Sequence, residues 1–590
     1  MLNKLSRFWQ ELKRRRVIHL ITVYASAAFV IIELINNLAE PLNLPARLTT
    51  IVVIVLIAGF PLAIILSWLY DLTSEGVEKT KPISELHEED TSIVPNAWKI
   101  ATYVSFVVII GLVLFNILGR ARETNSGDIQ SLVILPFDNF TGDEDLEYFV
   151  SGMHASLIGD MGKIGGLRVI SRTSSNTYKN IDITIPDIGS ELEVDAVIET
   201  AVMCLGDTIC IQFKLVGTSP KEEQLWIGEF KEEKSQILNL YNRITKQIAN
   251  EVKVELSSNE ERLLTDSRTV DTEAYDAFLR GYAFWGDLSE ESLTTALDFL
   301  NIAIEKDPGW APLYAGLAQV WALRMQMRIA LPSEAIPEIH KNITKALELD
   351  PDLSDSHFIN GIIAVWTEWN WEKGEKEFLK ALAINPNDVM SRIYYAQLLM
   401  ILQRSDEALT QGQLAVELDP FNPLILSLFS GILKDAREYQ TAYAYSVKAV
   451  TADPGHEFAQ KSLGASAYDI GEYEKAFEVD KNINLPFDED VISSIDKIFR
   501  EQDRFAAYEE IIAQFELKAQ NSFVSANNMA LRYIEVNQLD KAMDYIEKGF
   551  EMHEPSMPYI ATRGHFEPLY DNPRFIDVLE KMNLPPPKNR

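Results

Sequence analysis

The sequence predicts a multi-domain chain with three transmembrane helices at the front, a small α/β domain in the middle and a long all-α superhelical solenoid behind. Three observations predict it. Two segments of 23 and 19 residues before position 120 are apolar and carry no charge. Residues 130–256 alternate short β-branched runs with stretches of helical spacing. Five nearly identical phrases recur between Ala303 and Pro454, which is the mark of a repeat architecture.

The chain opens on a basic stretch, residues 1–16, ending in Lys13-Arg14-Arg15-Arg16. A membrane region is expected over 17–124, with spans at 17–38, 48–70 and 100–118. About 20 apolar residues cross a bilayer as a helix, and the second and third segments meet that length. The first holds His19, Glu33 and Asn36, and is too long for the apolar core of a cleaved signal peptide. Lys4, Arg7 and Lys13 to Arg16 should hold the N-terminus in the cytoplasm, against Arg120 and Arg122 beyond the third span. Everything after Leu118 is then expected outside an inner (plasma) membrane, periplasmic or otherwise extracytoplasmic, with the lipid bilayer as one partner. An ionisable group inside a span is costly, so Glu33 is a candidate coupling residue; the alternative places it near the far interface. Gly59-Phe60-Pro61 should kink the second span, and the linker 71–95 shows no fold signal.

An α/β domain is expected over 128–257. Ser131 to Phe137 is a buried strand ended by proline. Leu146 to Ile164 is a helix with Phe149, Met153, Leu157 and Met161 on one side. Strands follow at 167–170, 196–203, 209–216 and 224–230, then a helix from Ile237 to Leu256. The turn at Gly206-Asp207 reads as a hairpin. A three-residue loop there sets Cys204 opposite Cys210 and permits a disulfide if the compartment is oxidising; a two-residue turn leaves two free cysteines. The stretch Gly159-Asp160-Met161-Gly162-Lys163 lacks the first glycine and the final Ser/Thr of a phosphate loop.

The solenoid is expected over 272–555, as about eight helix pairs, with a cap over 556–590. The five phrases end in Asp307-Pro308, Asp350-Pro351, Asn385-Pro386, Asp419-Pro420 and Asp453-Pro454, whose prolines lie 43, 35, 34 and 34 residues apart. Proline disfavours helix in the residue before it, so each phrase closes a helix. Ala296 and Ala303, Ala408 and Ala415, Ala442 and Ala449 recur at seven, about two helical turns, which puts small side chains on one face where helices approach. This period and pattern resemble the tetratricopeptide repeat (TPR), a helix–turn–helix unit whose stacks bury what no single unit can. On that register the groove face holds Ile359, Ile363, Trp366, Met390, Ile393, Gln397, Phe458 and Lys461, either as a peptide groove or as inter-repeat core. Trp366, Trp369 and Trp371 are an aromatic recognition patch or packing.

Two further resemblances carry expectations. Glu11-Leu12-Lys13-Arg14-Arg15, Gly59-Phe60-Pro61 and Leu72-Thr73-Ser74-Glu75-Gly76 resemble the membrane-anchoring region ahead of many bacterial TPR proteins. Relatives with a DNA-binding winged helix or a nucleotide cyclase domain carry it in that place, and this sequence has no room for either before its first span. Leu135-Pro136-Phe137-Asp138-Asn139, Glu147-Tyr148-Phe149, Gly152-Met153, Gly166 to Ser175, Gly206-Asp207 and Leu225-Trp226 resemble the TolB amino-terminal-like domain, with Ser151 where relatives usually have Asp.

Charge and chemistry narrow the function. Residues 1–124 carry a net +1 and the remainder −34, which repels phosphate backbones and argues against nucleic acid. No catalytic, cofactor-binding or metal-ligating motif appears among the eight histidines and two cysteines, so no enzyme and no cofactor is expected. The expected function is a non-catalytic, membrane-anchored TPR scaffold binding a protein or peptide in envelope assembly or signalling, with a homo-oligomer compatible. The alternative is a transmembrane sensor that binds a ligand in its soluble part.

Overall fold

The computed structural model describes residues 129–587, except 220–221, 266–267 and 287, together with strands at 70–73 and 76–79 and the positions 24, 27, 28, 56 and 60. Two compact units divide the chain, Met1–Asn125 and Ser126–Arg590.

In the first unit, β1 (Tyr70–Thr73) and β2 (Gly76–Lys79) form an antiparallel hairpin, with Thr73 facing Gly76. The linker expected to lack a fold therefore holds a strand pair, and Tyr70, expected to end a span, begins a strand. Among the described residues no helix is long and apolar enough to cross a membrane. The three transmembrane helices are accordingly removed from the fold class; the rest of 17–38, 48–70 and 100–118, with Glu33, lies outside the described residues.

The second unit begins with the α/β domain. Its strands are β3 (Ser131–Ile134), β4 (Asp138–Asn139), β5 (Arg168–Val169), β6 (Ala196–Leu205), β7 (Thr208–Gly217) and β8 (Glu223–Glu233). The sheet order is β5-β3-β6-β7-β8, with β4 also on β6; β3 pairs parallel with both neighbours, and the β6–β7–β8 ladders are antiparallel. A strand flanked by parallel partners is covered on both faces, which is why all four residues of β3 are buried and read as a continuous apolar run. One face carries α1 (Glu147–Met161) and α4 (Ile237–Glu251), whose Phe149, Met153, Leu157, Leu240 and Ile244 join Leu132 and Ile134 in one core. The other face carries α2 (Arg172–Asn176) and α3 (Ile185–Leu192) over Val133, Val197 and Val216. Helix α3 escaped the periodicity reading, yet its start is written locally: Thr184 caps it by accepting from the Asp187 amide, with Pro186 in the first turn. A short α5 (Ser258–Leu263) leads into the repeats.

Eight helix pairs follow among the described residues. They are α6 (Thr272–Phe284) with α7 (Glu290–Lys306), α8 (Ala311–Gln326) with α9 (Pro332–Leu349), α10 (Ser354–Trp366) with α11 (Trp371–Ile384), and α12 (Val389–Ile401) with α13 (Ser405–Leu418). Then come α14 (Pro423–Asp435) with α15 (Tyr439–Ala452), α16 (Glu457–Asp469) with α17 (Tyr473–Val479), α18 (Glu489–Glu501) with α19 (Arg504–Ala519), and α20 (Ala526–Glu535) with α21 (Leu539–Glu551). A last helix, α22 (Pro573–Lys581), closes the chain. The alanines spaced by seven are all fully buried, as their small size requires. A Cβ on Gly412 would sit 2.5 Å from the Phe429 ring, so that glycine lets the next pair close in. Within the pairs, the turn between helices ends in a left-handed residue: Trp369 (φ 53°), Gln403 (φ 59°), Arg437 (φ 70°) and Gly471 (φ 86°), each 34 residues on from the last. Three of these four are not glycine, so this beat is silent in the sequence.

The α/β domain and the segment after it grip the outer turns of successive pairs. Arg268 reaches both oxygens of Asp307 at 2.7 and 2.9 Å. Arg262 on α5 donates to Asp352 at 2.6 Å. Asn387 donates to the carbonyls of Gly162, Ile164 and Leu167 at 2.9–3.2 Å and accepts from the Val169 amide at 3.1 Å. Asp419, 2% exposed, accepts from the Ser174 amide and hydroxyl, while Leu418 accepts from the Ser171 amide. Replacing Asn387 with alanine removes two N–H donors shared among three carbonyls and the acceptor of the Val169 amide; at about 1 kcal/mol net per bond, chemical denaturation should show a loss of about 2–3 kcal/mol, and a change below about 0.5 kcal/mol would show that the domain does not depend on this turn.

Candidate binding surface of the repeat array

The first helices of the pairs share the face on which a groove was expected. Ile359, Ile363 and Ile393 are buried to 2% exposure or less and pack between helices. Met390 is half-buried against the same core. Trp366 and Gln397 do face the groove, but they are occupied. The Tyr559 hydroxyl accepts from the Trp366 indole at 2.9 Å and donates to the Gln397 side-chain oxygen. Tyr559 comes from the C-terminal segment, which returns along this face.

That return is anchored at each successive turn. Trp369 stacks on His553 with centroids 4.1 Å apart. The Trp371 indole donates to the Met582 carbonyl at 3.0 Å. Gln403 donates to the Pro585 and Pro586 carbonyls at 3.0 and 2.7 Å. Arg437 donates to the Thr562 carbonyl at 2.9 Å and pairs with Glu567 at 2.6 Å. The left-handed residues of the turns are thus the ones that hold the returning chain. Met557, Ile560, Phe566, Leu569 and Phe575 from the segment are fully buried. At about 2 kcal/mol each this burial is worth about 10 kcal/mol, comparable with the whole stability of a domain. Beside Met400, Gln403 and Arg437 a space of about 30 Å³ remains, room for about one water. The segment fills this part of the groove as a plug.

The plug also meets polar groups of the array. Lys434 pairs with Asp469 at 3.0 Å, and His565 sits 3.4 Å from the same carboxylate. Burial pushes the His565 imidazole down to about 4, Lys434 adds to this, Asp469 opposes it, and Arg563 and Arg437 lower it further. The ring is neutral at pH 7, so the contact with Asp469 is not an ion pair. Because the folded pKa lies below the ordinary 6.5, the unfolded chain binds the extra proton and this contribution to stability falls as pH drops from 6.5 to 4. His565→Gln should flatten the melting temperature against pH in that window; an unchanged slope would show an imidazole free to charge in the fold.

The accessible part of the face starts at α16. Phe458 is 42% exposed, and Lys461 pairs with Glu457 one turn away. Next to them a cleft of about 670 Å³ opens between α16 and the end of α17, lined by Pro454, Glu457, Leu463, Lys475, Val479 and Ile483. It opens where α17 passes into a π-helical turn, Asp480–Asn484, in place of the regular helix end of earlier pairs. Neither Phe458 nor Lys461 is among the residues lining this cleft, and the irregular helix end has no sequence signal of its own. The three tryptophans pack against the plug. Cys204 and Cys210 face each other across β6 and β7 and are bonded, with Cα atoms 4.9 Å apart and a loop of three residues, Gly206 to Thr208, between the strand pairs. Among the described residues no group of three His, Cys, Asp or Glu is placed to hold a metal.

No family model matches the chain. A curated protein of Rhizobium meliloti (strain 1021), named "Putative adenylate cyclase 3", is 31% identical over 227 residues, which is 38% of this chain and 37% of that protein. This chain thus spans little more than a third of the relative it matches. Among solved structures, PilW, a widely conserved type IV pilus biogenesis factor, aligns over 38% of this chain and 99% of its own, at 13% identity and a TM-score of 0.31. YrrB, a TPR protein with an unusual peptide-binding site, covers 34% of this chain and 96% of its own at 21% identity and a TM-score of 0.23. Human IFIT1 in a dimer with m7Gppp-AAAA covers 53% and 77% at 15% identity and a TM-score of 0.34. The chain is a helical TPR-like solenoid with a small sheet domain, on the strength of its own repeated helix pairs.

Proposed function

We propose that the chain is a non-catalytic scaffold that binds a protein or peptide partner on its repeat array, in envelope assembly or signalling. The observation that carries this reading is the open end of the groove face. Between α16 and the end of α17, an apolar floor of Leu463, Val479 and Ile483 meets Glu457 and Lys475, with Phe458 exposed on the same helix. Its volume of about 670 Å³ and its mixed lining suit a side chain or two of a docked segment, oriented by a few polar groups. The α/β domain is read as TolB amino-terminal-like, fixed to the array as a second surface. The Cys204–Cys210 bond supports an oxidising, extracytoplasmic setting for the residues after 118.

A photoreactive residue in place of Gln460, at the cleft, should give discrete crosslinked adducts in cells, and Phe458→Asp should abolish them without lowering the melting temperature. Adducts that persist unchanged in that variant would remove the cleft as the binding surface. The non-catalytic reading has its own test, set by the cyclase name of the curated relative. Purified chain with ATP and magnesium or manganese should form no cyclic AMP above buffer, and sustained formation would overturn the reading.

A further inference from the structure

Strand β8 ends the sheet: it pairs with β7 from Glu223 opposite Gly217 to Glu233 opposite Thr208, with one irregularity at Leu225 and a regular ladder from Trp226 to Glu233, and among the described residues no strand lies on its other edge. It is eleven residues long and contains no proline. Such edges offer a row of free backbone donors and acceptors, and proteins usually shorten, bulge or cover them. The face of the sheet beside this edge is open as well, with Leu225 39% and Ile227 47% exposed.

The charges on the strand say what fits there. Glu229 and Lys231 are exposed, two residues apart, and so project from the same open face. Glu229 accepts from Gln212 at 3.0 Å, and Lys231 has no ion-pair partner among the described residues. When a strand pairs antiparallel with a copy of itself about a twofold axis, residues equally far on either side of the axis face each other. With the axis at Phe230, Glu229 faces Lys231 of the second copy and Lys231 faces its Glu229. Directly opposed side chains stand about 5 Å apart at Cβ, within ion-pair reach. The same register sets Ile227 diagonal to the aliphatic stem of the second copy's Lys231 and opposes no like charges between 227 and 233.

We propose that two copies of this chain pair through β8, antiparallel and centred on Phe230, to form one sheet continuous across a symmetric dimer. The net charge of −33 on each chain opposes association at long range. That repulsion is screened beyond about 8 Å at physiological ionic strength, whereas the paired charges lie well inside this distance.

Sedimentation velocity on the full chain tests the pairing by charge exchange. The unaltered chain should be a dimer. Lys231→Glu and Glu229→Lys, each alone, set like charges across the axis twice and should weaken the dimer about tenfold or more. The double variant Glu229→Lys/Lys231→Glu should restore it, which a merely structural disturbance of β8 would not do. Circular dichroism should be unchanged throughout, since both positions are exposed. A monomer for the unaltered chain, a dimer indifferent to the single reversals, or a double variant that stays monomeric would each overturn the proposal. The first outcome would leave the edge to an extended segment of another protein.

Discussion

Everything in the second unit depends on the polar turns that close the repeats. A solenoid of helix pairs is held by apolar contact between neighbours, each pair touching only the next, so small rotations between pairs add up along the array. Here the turns at Asp307, Asp352, Asn387 and Asp419 are tied, one after another, to the α/β domain or to the segment that leaves it. A carboxylate or amide that stops a helix has spare acceptors and donors once the helix has ended. Asn387, two residues past the helix-ending Asn385, spends its side chain on one loop of the neighbouring domain, donating to the Gly162, Ile164 and Leu167 carbonyls. The domain thus acts as a splint along one edge of the array.

The opposite edge is held by the C-terminal segment. Its contacts reach back 211 residues, from Met582 to Trp371, and 182 residues, from Pro585 to Gln403. One apolar cluster runs from Val365 to Leu584, so the middle repeats and the tail share a core. With a splint on one side and a plug on the other, the middle of the array has little freedom to flex. The pairs beyond the plug, α16 with α17 and α18 with α19, are the less regular ones: α17 ends in a π-turn and α18 buries only Ile495. A binding surface that must adapt to a partner is better placed there, where few apolar contacts resist a small opening.

The groove residues illustrate how far register reasoning reaches. Phe458 and Lys461 were read as groove residues; they lie on α16, where Phe458 is 42% exposed and Lys461 pairs with Glu457. Trp366 and Gln397 belong to the face as read, but a tyrosine from 162 and more residues away sits between them. Ile359, Ile363 and Ile393 share the same helical face and are consumed by packing, because a helix in a stack faces two neighbours and its apolar stripe is wide enough to serve both. The turn residues Trp369, Gln403 and Arg437, which hold the plug, were invisible as a set: their spacing is regular, but their side chains have nothing in common.

The sequence by itself determined the repeated helix pairs and where the longer strands run, and it left open whether Cys204 and Cys210 pair. Helix stops, small residues at intervals of seven and alternating apolar runs are local signals, written within one or two turns of chain. It did not determine the membrane-spanning helices that its apolar segments suggested, since length and hydropathy state what a segment tolerates and not what it becomes. Only the tertiary structure decided that the groove is filled from within and that β8 is left as a free edge. Both follow from where distant segments meet, and no local pattern encodes a contact that spans two hundred residues.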